Sequence, residues 1–481
     1  RCNAPTALIS EAKAAGFDDS FGYQTMPINR RQFLKSSAGG AAVAVLPISF
    51  HTAFAADGFL EISAAPSQQS LYSDTAPASD LWTYNGTAPG PEIRVKRGDR
   101  VKVRLINRLD EPTSIHWHGI RIANAMDGVA GLTQDAVEPG ESFDYDFVVP
   151  DAGTYWYHAH NRSWNQVARG LYGVLIVEAD TAEFDAEHDR TLVIDDWLLD
   201  QQGKLDTASL GSLMDWTHGG RIGNWLTVNG KSLPRYSLNA NEAYRLRLIN
   251  ASNARVLGLD PTQFGGRILA YDGQSLPEPS DLTYQPLLLG PAQRVDLLVV
   301  PKAGETIELN EVSGSQPFAF ASFDVAEKPD SKLVTPALIP NSLPEPDLAK
   351  ARSFRLDMTG GAMGQIVDTV YNGKKLEGDD FRDTAQVWAF NGIANLAEEP
   401  FFSVQRGETV VVETINRTGF IHAMHIHGHH FRVLERSGSD IDEGQPWRDT
   451  FLIGPDQTTK IAFVADNAGK WLLHCHMLGR E

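Results

Sequence analysis

The chain has 481 residues, of which 42% are hydrophobic and 21% charged, and its formal net charge is −19 at pH 7. This length allows two to four domains with a large buried core. Because phosphate groups are bound by clustered Lys and Arg, the negative charge argues against nucleic acid or an anionic membrane as a partner. The 42 Gly and 26 Pro residues, together with few long helix-forming runs, predict an all-β protein.

The first recognisable segment is an export signal. A twin arginine, Arg30-Arg31, precedes the apolar stretch of residues 38–54, which ends in a small-x-small cleavage sequence. This combination predicts a Tat-type signal over residues 26–55, export to the periplasm and a mature chain that begins near Ala56. The apolar stretch is too short and too rich in Gly and Ala to span a membrane, and no other segment of the sequence qualifies.

The segment ahead of the signal affects the cysteine count. We interpret residues 1–25, which precede Met26, as a non-mature extension outside the true start. The chain has only two cysteines, Cys2 and Cys475. If Cys2 is lost with the signal, no intramolecular disulfide forms even in an oxidising compartment. A lone cysteine in an exported protein is either a small buried hydrophobe or a functional thiol, and the neighbours of Cys475 favour the second.

One sequence pattern occurs three times. Each copy has an Asn-Gly turn, a polar turn and an alternating strand that ends in Ile-Asn. The turns are Asn85-Gly86, Asn229-Gly230 and Asn391-Gly392, and the strands end at Asn107, Asn250 and Asn416. Asn250 lies 143 residues after Asn107, and Asn416 lies 166 residues after Asn250. These intervals are too long for a solenoid and suit three copies of one β-domain.

The gaps between the copies predict the domain boundaries. Domain one is expected at residues 57–180, domain two at 188–325 and domain three at 347–481. A Pro-rich stretch from Pro336 to Pro346 indicates a linker before domain three. Because strand runs follow one another without long helices between them, each domain is predicted to be a Greek-key β-sandwich.

The histidines are concentrated in four short motifs. Nine of the 14 histidines fall in the sequences His116-Trp117-His118-Gly119, His158-Ala159-His160, His422-x-x-His425-x-His427 and His474-Cys475-His476. On a strand, residues i and i+2 point to the same face, so each His-x-His places two imidazoles side by side. Imidazole suits copper, zinc and iron, and a thiolate with two histidines is the ligand pattern of blue copper. In the last motif the thiolate points away from its two neighbours, so one tripeptide contacts two metal sites.

These four motifs resemble those of the multicopper oxidases, which include laccases, cuprous oxidases and their bacterial relatives. The resemblance covers essentially the whole mature chain, with the motifs in the first and last of three β-domains. It implies cupredoxin-like domains, a monomer, and a copper complement of one type 1 ion, one type 2 ion and a type 3 pair. The implied reaction is laccase-like: oxidation of a phenol, an aromatic amine or a metal ion, coupled to four-electron reduction of O2 to water.

The resemblance also assigns the ligands, motif by motif. His116 and His425 match the type 2 ligands. His422 and Cys475 match type 1 ligands, and Cys475 is then the electron path to the other copper ions. The type 3 ligands are matched by His118, His158, His160, His427, His474 and His476.

Two carboxylates match acids that deliver protons for O2 reduction in this family. Asp127 follows the first motif and Glu481 follows the last. A carboxylate beside such a cluster is chemically reasonable because O2 reduction consumes protons. We favour this role for Asp127. For Glu481, a solvated terminal side chain is an equal alternative. Asp449, in a Trp-Arg-Asp-Thr sequence, is interpreted as structural.

Arg480 departs from the family pattern. The family places its second type 1 histidine five residues after the cysteine, with an axial Met or Leu further on, and here that position holds Arg480. A permanently protonated guanidinium is no ligand for copper. We therefore expect weak or absent type 1 copper in this chain. We interpret domain three as C-terminally truncated rather than naturally deprived of the ligand.

Three other functions compete with the oxidase. A copper nitrite reductase also has a cysteine-centred blue site, but it has two domains per chain. A copper-free periplasmic scaffold of the same fold is the main alternative, although such scaffolds lose the histidines that this chain keeps. Simple copper storage would bind the metal without consuming O2.

Overall fold

The computed structural model describes residues 58–181, 184–282, 286–327, 338–362, 364, 368–397, 399–442 and 444–478. Within these ranges the chain is built from strands and a few short helical turns, which confirms the all-β prediction. The sheets form three groups, which we call the first region (58–181), the second region (184–327) and the third region (338–478). The export signal, Cys2, Arg480 and Glu481 lie outside the described residues.

The first region consists of two four-stranded sheets, ordered β2-β1-β4-β6 and β3-β8-β7-β5. Side chains alternate between core and solvent along β4, where Val101, Val103 and Leu105 are buried. The strands are β1 (Leu60–Gln69), β2 (Ser79–Tyr84), β3 (Ile93–Lys96), β4 (Arg100–Asn107), β5 (Ile115–His118), β6 (Ser142–Val148), β7 (Gly153–Ala159) and β8 (Tyr172–Glu178).

The second region has a six-stranded sheet, ordered β10-β9-β12-β17-β14-β15, and a five-stranded sheet, ordered β11-β19-β18-β13-β16. Its strands are β9 (Asp189–Trp197), β10 (Trp225–Val228), β11 (Arg235–Asn239), β12 (Tyr244–Asn250), β13 (Leu257–Leu259), β14 (Arg267–Tyr271), β15 (Gln274–Ser280), β16 (Leu287–Leu289), β17 (Arg294–Val299), β18 (Thr306–Glu311) and β19 (Phe318–Ala326).

The third region has a six-stranded sheet, ordered β23-β20-β24-β29-β26-β27, a three-stranded sheet, ordered β28-β25-β30, and the hairpin β21-β22. Its strands are β20 (Arg352–Gly360), β21 (Val370–Tyr371), β22 (Lys374–Lys375), β23 (Trp388–Phe390), β24 (Thr409–Asn416), β25 (His422–Ile426), β26 (Phe431–Arg436), β27 (Trp447–Arg448), β28 (Thr450–Ile453), β29 (Thr458–Val464) and β30 (Leu473–Cys475).

Helical segments in the described part of the chain are short connections between strands. The α-helices are α1 (Ser163–Gln166), α2 (Leu213–Thr217) and α3 (Asp380–Thr384). The 3-10 turns are Asn124–Met126, Val167–Arg169, Thr207–Ser209, Pro261–Phe264 and Leu348–Lys350. All strands lie inside the expected domain limits except β19, which extends one residue past 325. The boundaries themselves remain predictions.

The repeated Asn-Gly turns have one structural role. In each, the asparagine has a left-handed backbone, which asparagine adopts more readily than most side chains. The φ angles are 54° for Asn85, 52° for Asn229 and 49° for Asn391. Each asparagine Oδ1 accepts a hydrogen bond from a backbone N–H of the neighbouring strand, from Ser63, Val193 and Asp357 respectively. Each asparagine therefore ties the end of its own strand, β2, β10 or β23, to the neighbouring strand, β1, β9 or β20.

The repeated Ile-Asn ending also has one role. Asn107, Asn250 and Asn416 are fully buried at the ends of β4, β12 and β24. Each Nδ2 group donates to main-chain carbonyl oxygens of the flanking loops. Each Oδ1 accepts from the backbone N–H two residues further on. In the first and third regions, the loop fixed in this way leads directly into a strand that carries histidines.

Candidate metal centre

Two strand pairs carry the histidines. In the first region β5 runs antiparallel to β7, and His116 lies opposite His158. In the third region β25 runs antiparallel to β30, and His425 lies opposite His474. The alternation expected from the His-x-His spacing therefore presents several imidazoles on one face of each pair.

The two faces meet in one buried group of imidazoles. Ring centroids are 3.7 Å apart for His118 and His425, and 3.9 Å apart for His116 and His427. The corresponding distance is 5.0 Å between His158 and His476 and 5.4 Å between His160 and His474. We call these residues the eight-histidine cluster: His116, His118, His158, His160, His425, His427, His474 and His476. All eight are buried.

Hydrogen bonds set the orientation of the two predicted type 2 ligands. His116 donates through Nδ1 to the carbonyl oxygen of Asp127, and His425 donates through Nδ1 to the carbonyl oxygen of Asp449, both at 2.8 Å. The Nε2 atoms of both rings are buried and have no hydrogen-bond partner among the described residues. A ring that donates through one nitrogen presents a lone pair on the other, which is how histidine binds metals. These two rings therefore fit a metal ion.

Other ring nitrogens converge on the same space. The Nε2 atoms of His427 and His474 are 3.0 Å apart, and those of His158 and His476 are 3.2 Å apart. Several trios of side chains place their ligand atoms within 4.8 Å of one another. The all-histidine trios are His116, His425 and His427; His116, His118 and His158; and His160, His427 and His474. A donor set made of imidazole nitrogens suits a transition metal better than calcium or magnesium, because those two ions prefer oxygen ligands.

Burial lowers the pKa values of seven of the eight cluster imidazoles. Burial, with a contribution from nearby His116, lowers the pKa of His160 and of His476 to about 3. Burial and neighbouring imidazoles lower the pKa values of other cluster members well below 6.5, those of His118, His158, His425, His427 and His474. Neutral imidazole is the form that binds a metal ion.

Asp127 lies between the two halves of the cluster. Its carboxylate is buried and directly follows the 3-10 turn Asn124–Met126. The Oδ2 atom accepts a hydrogen bond from Nδ1 of His427 at 3.0 Å, and Oδ1 is 3.3 Å from Nδ1 of His116. The sequence-predicted acid thus contacts one cluster ring from each half. Glu481, the other predicted acid, lies outside the described residues.

His422 and Cys475 are brought together on the other face of β25 and β30. Both are buried, and Nδ1 of His422 is 3.3 Å from Sγ of Cys475. The ring of Trp388 meets His422 edge-on with centroids 5.2 Å apart, and Oγ1 of Thr418 is 2.9 Å from Nε2 of His422. Because the alternation of β30 sends the thiol away from its two histidine neighbours, the predicted division of this tripeptide agrees with the geometry.

Sequence reasoning missed one residue that reaches the cluster. Arg294, at the start of β17 in the second region, is fully buried and forms two hydrogen bonds with the carboxylate of Asp449. Asp449 in turn contacts cluster rings, with Oδ1 3.3 Å from Nε2 of His118. An arginine in a strand that carries no histidine gives no sequence signal that points to a metal site.

Family models agree with the fold and the histidine motifs. Two models described as multicopper oxidase match residues 67–182 and 371–481. A model of the twin-arginine translocation pathway signal sequence matches residues 27–47 and confirms the predicted signal, which indicates export. Among the described residues, no helix is long and apolar enough to cross a membrane.

Known proteins of this kind are similar along most of the chain. Multicopper oxidase MmcO of Mycobacterium tuberculosis (strain ATCC 25618 / H37Rv) is 29% identical, with 83% of this chain and 81% of that protein covered. A crystal structure of a multi-copper oxidase from Pseudomonas thermotolerans is 32% identical with a TM-score of 0.76, covering 87% of this chain and 95% of that one. The structure of Lac15 from a marine microbial metagenome is 35% identical with a TM-score of 0.68, covering 87% and 97%. The chain belongs to the multicopper oxidase family, whose members are copper-binding oxidoreductases.

Proposed function

We propose that the protein is a periplasmic, laccase-like oxidase that couples one-electron oxidation of a phenol, an aromatic amine or a low-valent metal ion to the reduction of O2 to water. The observation that carries this proposal is the buried eight-histidine cluster. Within it, the Nε2 atoms of His116 and His425 face inward with no partner in the described part of the chain. In a copper-free scaffold these buried nitrogens would have neither a hydrogen-bond partner nor a metal ion. Their burial would then lower the free energy of unfolding without any functional benefit.

The proposed ligand roles are those that the family resemblance implies. His116 and His425 would hold the type 2 ion, and His422 with Cys475 would hold the type 1 ion. The remaining six members of the cluster would hold the type 3 pair: His118, His158, His160, His427, His474 and His476. Bound copper supplies the one-electron redox chemistry and the site at which O2 is reduced.

Cys475 connects the two sites through the covalent chain. Its thiol faces His422, whereas the adjacent residues His474 and His476 face the cluster. An electron accepted at the thiolate therefore needs to cross only one residue of backbone to reach a cluster ligand. The pairing of β25 with β30 holds both ends of this path in place.

Asp127 is the proposed proton carrier. Its buried carboxylate accepts from His427 and lies close to His116, so it orients both rings. A proton held on the carboxylate would be available beside the space into which the ring nitrogens converge. A group that transfers protons must lie within hydrogen-bond reach of the reacting atoms or of one bridging water.

The reducing substrate would approach the side of His422. That ring is almost completely covered, by Trp388 and by the loop around Thr418. Trp388 is itself held from the second region, because its Nε1 donates to the carbonyl oxygen of Trp216 at 2.6 Å. The side chains over His422 therefore belong to the third region, with Trp388 held by the main chain of the second, and they would shape which donor reaches it.

Copper analysis with O2 uptake tests the proposal. We expect copper-loaded protein to hold about three ions per chain or more. We expect it to consume O2, slowly because Arg480 weakens the type 1 site, with at least one donor among a substituted phenol, an aromatic diamine, ferrous ion and cuprous ion. His188→Gln is a matched control, because His188 bonds Asp185 and Glu242 away from the cluster, and it should change neither readout. Copper content below about one ion per chain, or copper without O2 uptake from any donor, would contradict the oxidase.

Arg480→His tests the type 1 site separately. The substitution places an imidazole five residues after Cys475, where the family has one. We expect a gain of about one copper ion per chain together with an intense blue absorption from the copper–thiolate bond. An unchanged spectrum would show that Arg480 is not what weakens this site.

A further inference from the structure

Arg294 occupies the point at which the three regions meet. Its Nε donates to the carbonyl oxygen of Thr154 in the first region at 3.1 Å, and Nη1 donates to that of Ala292 in the second at 3.0 Å. In the third region, Nη1 and Nη2 donate to the two carboxylate oxygens of Asp449 at 2.9 and 2.6 Å. Such a two-pronged pair fixes the carboxylate in both position and plane.

Asp449 passes this constraint to a ring from each half of the cluster. Its Oδ1 accepts from Nε2 of His118 at 3.3 Å, and its carbonyl oxygen accepts from Nδ1 of His425 at 2.8 Å. The hydroxyl of Thr450 donates to the same Oδ1 at 2.9 Å. The rings of His118 and His425 are stacked, with a 20° angle between their planes.

The contact selects the tautomer of His118. When Nε2 carries the proton donated to Asp449, the lone pair is on Nδ1. That Nδ1 atom is buried and has no hydrogen-bond partner within the described ranges. The hydroxyl of Thr450 lies 3.1 Å from the same Nε2. Because this hydroxyl donates to Oδ1 of Asp449, it can accept from His118, so Asp449 and Thr450 favour the same tautomer.

Gly119 provides independent support, because it leaves room for the ion pair. It follows His118 with a φ of +86°, and a Cβ atom built on it would collide with Oδ2 of Asp449 and Nη2 of Arg294. The glycine that ends the first motif is therefore required by the Arg294–Asp449 pair as well as by its own backbone conformation.

The contact with cluster rings distinguishes this ion pair from buried pairs elsewhere in the chain, such as Arg436–Asp442. A buried ion pair is often no more stabilising than apolar residues of similar volume, because both charges lose their hydration. The chain nevertheless directs a buried arginine from a region without cluster histidines toward the two stacked rings. A role in orienting metal ligands would explain why the chain keeps an ion pair whose two charges lose their hydration.

We propose that Arg294 is a positioning residue of the copper cluster, which acts through Asp449 to fix the orientation of His118 and His425. This inference rests on the proposed function, since it assigns one type 3 and one type 2 ligand to these rings. It gives the second region a defined role in the metal site.

The test compares copper binding and the type 2 electron paramagnetic resonance spectrum of the full chain and its variants. For Arg294→Met we expect copper affinity to fall about 10–100-fold and the type 2 hyperfine splitting to change. Arg294→Lys keeps the charge but not the two-pronged geometry, and it should restore part of the affinity. Gly119→Ala should change the spectrum in the same direction as Arg294→Met.

Arg436→Met is the matched control. Arg436 and Asp442 form another buried ion pair in the third region, with a 2.6 Å hydrogen bond. This variant should leave the spectrum and the copper affinity at wild-type values, while the thermal unfolding of its metal-free form reports the cost of losing an ion pair. Should Arg294→Met not fold, Arg294→Lys and Gly119→Ala are judged by the same criteria.

Two outcomes would overturn the inference. The first is that the Arg294 variants keep the wild-type spectrum and copper affinity. The second is that Arg436→Met changes the spectrum and the copper affinity as much as Arg294→Met does. Both presuppose wild-type protein that binds copper and consumes O2. Wild-type protein that does neither would instead refute the proposed function, so the two failures are distinguishable.

Discussion

The second region has the strand plan of the first and third regions but none of the cluster histidines. In each region the side chain nine residues after the strand-ending asparagine lies opposite a residue of a neighbouring strand. These cross-strand pairs are His116 with His158, Leu259 with Glu311, and His425 with His474. The same backbone position is therefore a proposed metal-ligand position in two regions and an ordinary buried position in the other. The fold provides the position, and the side chains decide what it does.

The difference is visible in how the buried polar atoms are satisfied. Oε1 of Glu311 accepts hydrogen bonds from the backbone N–H groups of Gly258 and Ser313 and from the hydroxyl of Ser313. In contrast, Nε2 of His116 and Nε2 of His425 have no partner in the described part of the chain. Buried polar groups are normally paired. Unpaired ring nitrogens at two of three equivalent positions thus distinguish the proposed metal site from a structural position.

Replacing one histidine by the residue of the second region should have the largest effect. For His116→Leu, which copies Leu259, we expect loss of the type 2 signal and a fall in O2 consumption on the order of a thousandfold, since ligands of one cluster act as a unit. Electron paramagnetic resonance and O2 uptake measure both. Leu259→Met, a volume-conserving change in the second region, is the control. If His116→Leu kept wild-type turnover, His116 would not be a required copper ligand, although it occupies the same backbone position as His425.

Replacing Asp127, the proposed proton carrier, should have the next largest effect. Asp127→Asn keeps the shape of the side chain but neither the charge nor the same proton exchange. We expect turnover to fall about 10–100-fold while the copper content stays at the wild-type value. Asp144→Asn, an exposed carboxylate paired with Arg104, serves as the control. Loss of copper together with activity would instead assign Asp127 a role in holding His427.

Most of the fold and the ligand set could be predicted from the sequence because both depend on local patterns. The asparagines of the repeat act within their own turns and loops, so Asn229 and Asn250 have the same contacts as their counterparts. The strand alternation in His474-Cys475-His476 is also local, and it separates the thiol from the two rings. Such contacts need no knowledge of how the regions are arranged.

What could not be predicted depends on contacts between regions. Arg294 and Asp449 are 155 residues apart in sequence, and their meeting requires the correct docking of the second region on the third. The stacking of His118 on His425 likewise depends on how the first region meets the third. The sequence suggested only a structural role for Asp449, since a carboxylate that acts through its neighbours has no motif of its own.

The repeated asparagines should be interchangeable in stability but not in function. Replacing Asn250 by Ala leaves the carbonyl oxygens of Arg255 and Leu289 without their donor. The expected cost is about 1–3 kcal/mol of unfolding free energy, measured on the metal-free protein by denaturant titration. Asn107→Ala and Asn416→Ala should cost a similar amount. Those two asparagines precede the histidine strands, so their variants should also disturb the copper spectra more than Asn250→Ala does. An equal disturbance in Asn250→Ala would contradict the difference between the regions.

The smallest effect is expected at Glu311, the counterpart of His158 and His474. Glu311→Gln keeps an acceptor oxygen for Gly258 and Ser313 but replaces charged hydrogen bonds by neutral ones, so we expect a loss of about 1 kcal/mol. The copper content and turnover should not change. By comparison, His474→Gln, at the equivalent place in the third region, should lower the copper content and abolish most turnover. If Glu311→Gln altered the copper spectra, the polar group at this position would be coupled to the cluster in all three regions, and the contrast between them would fail.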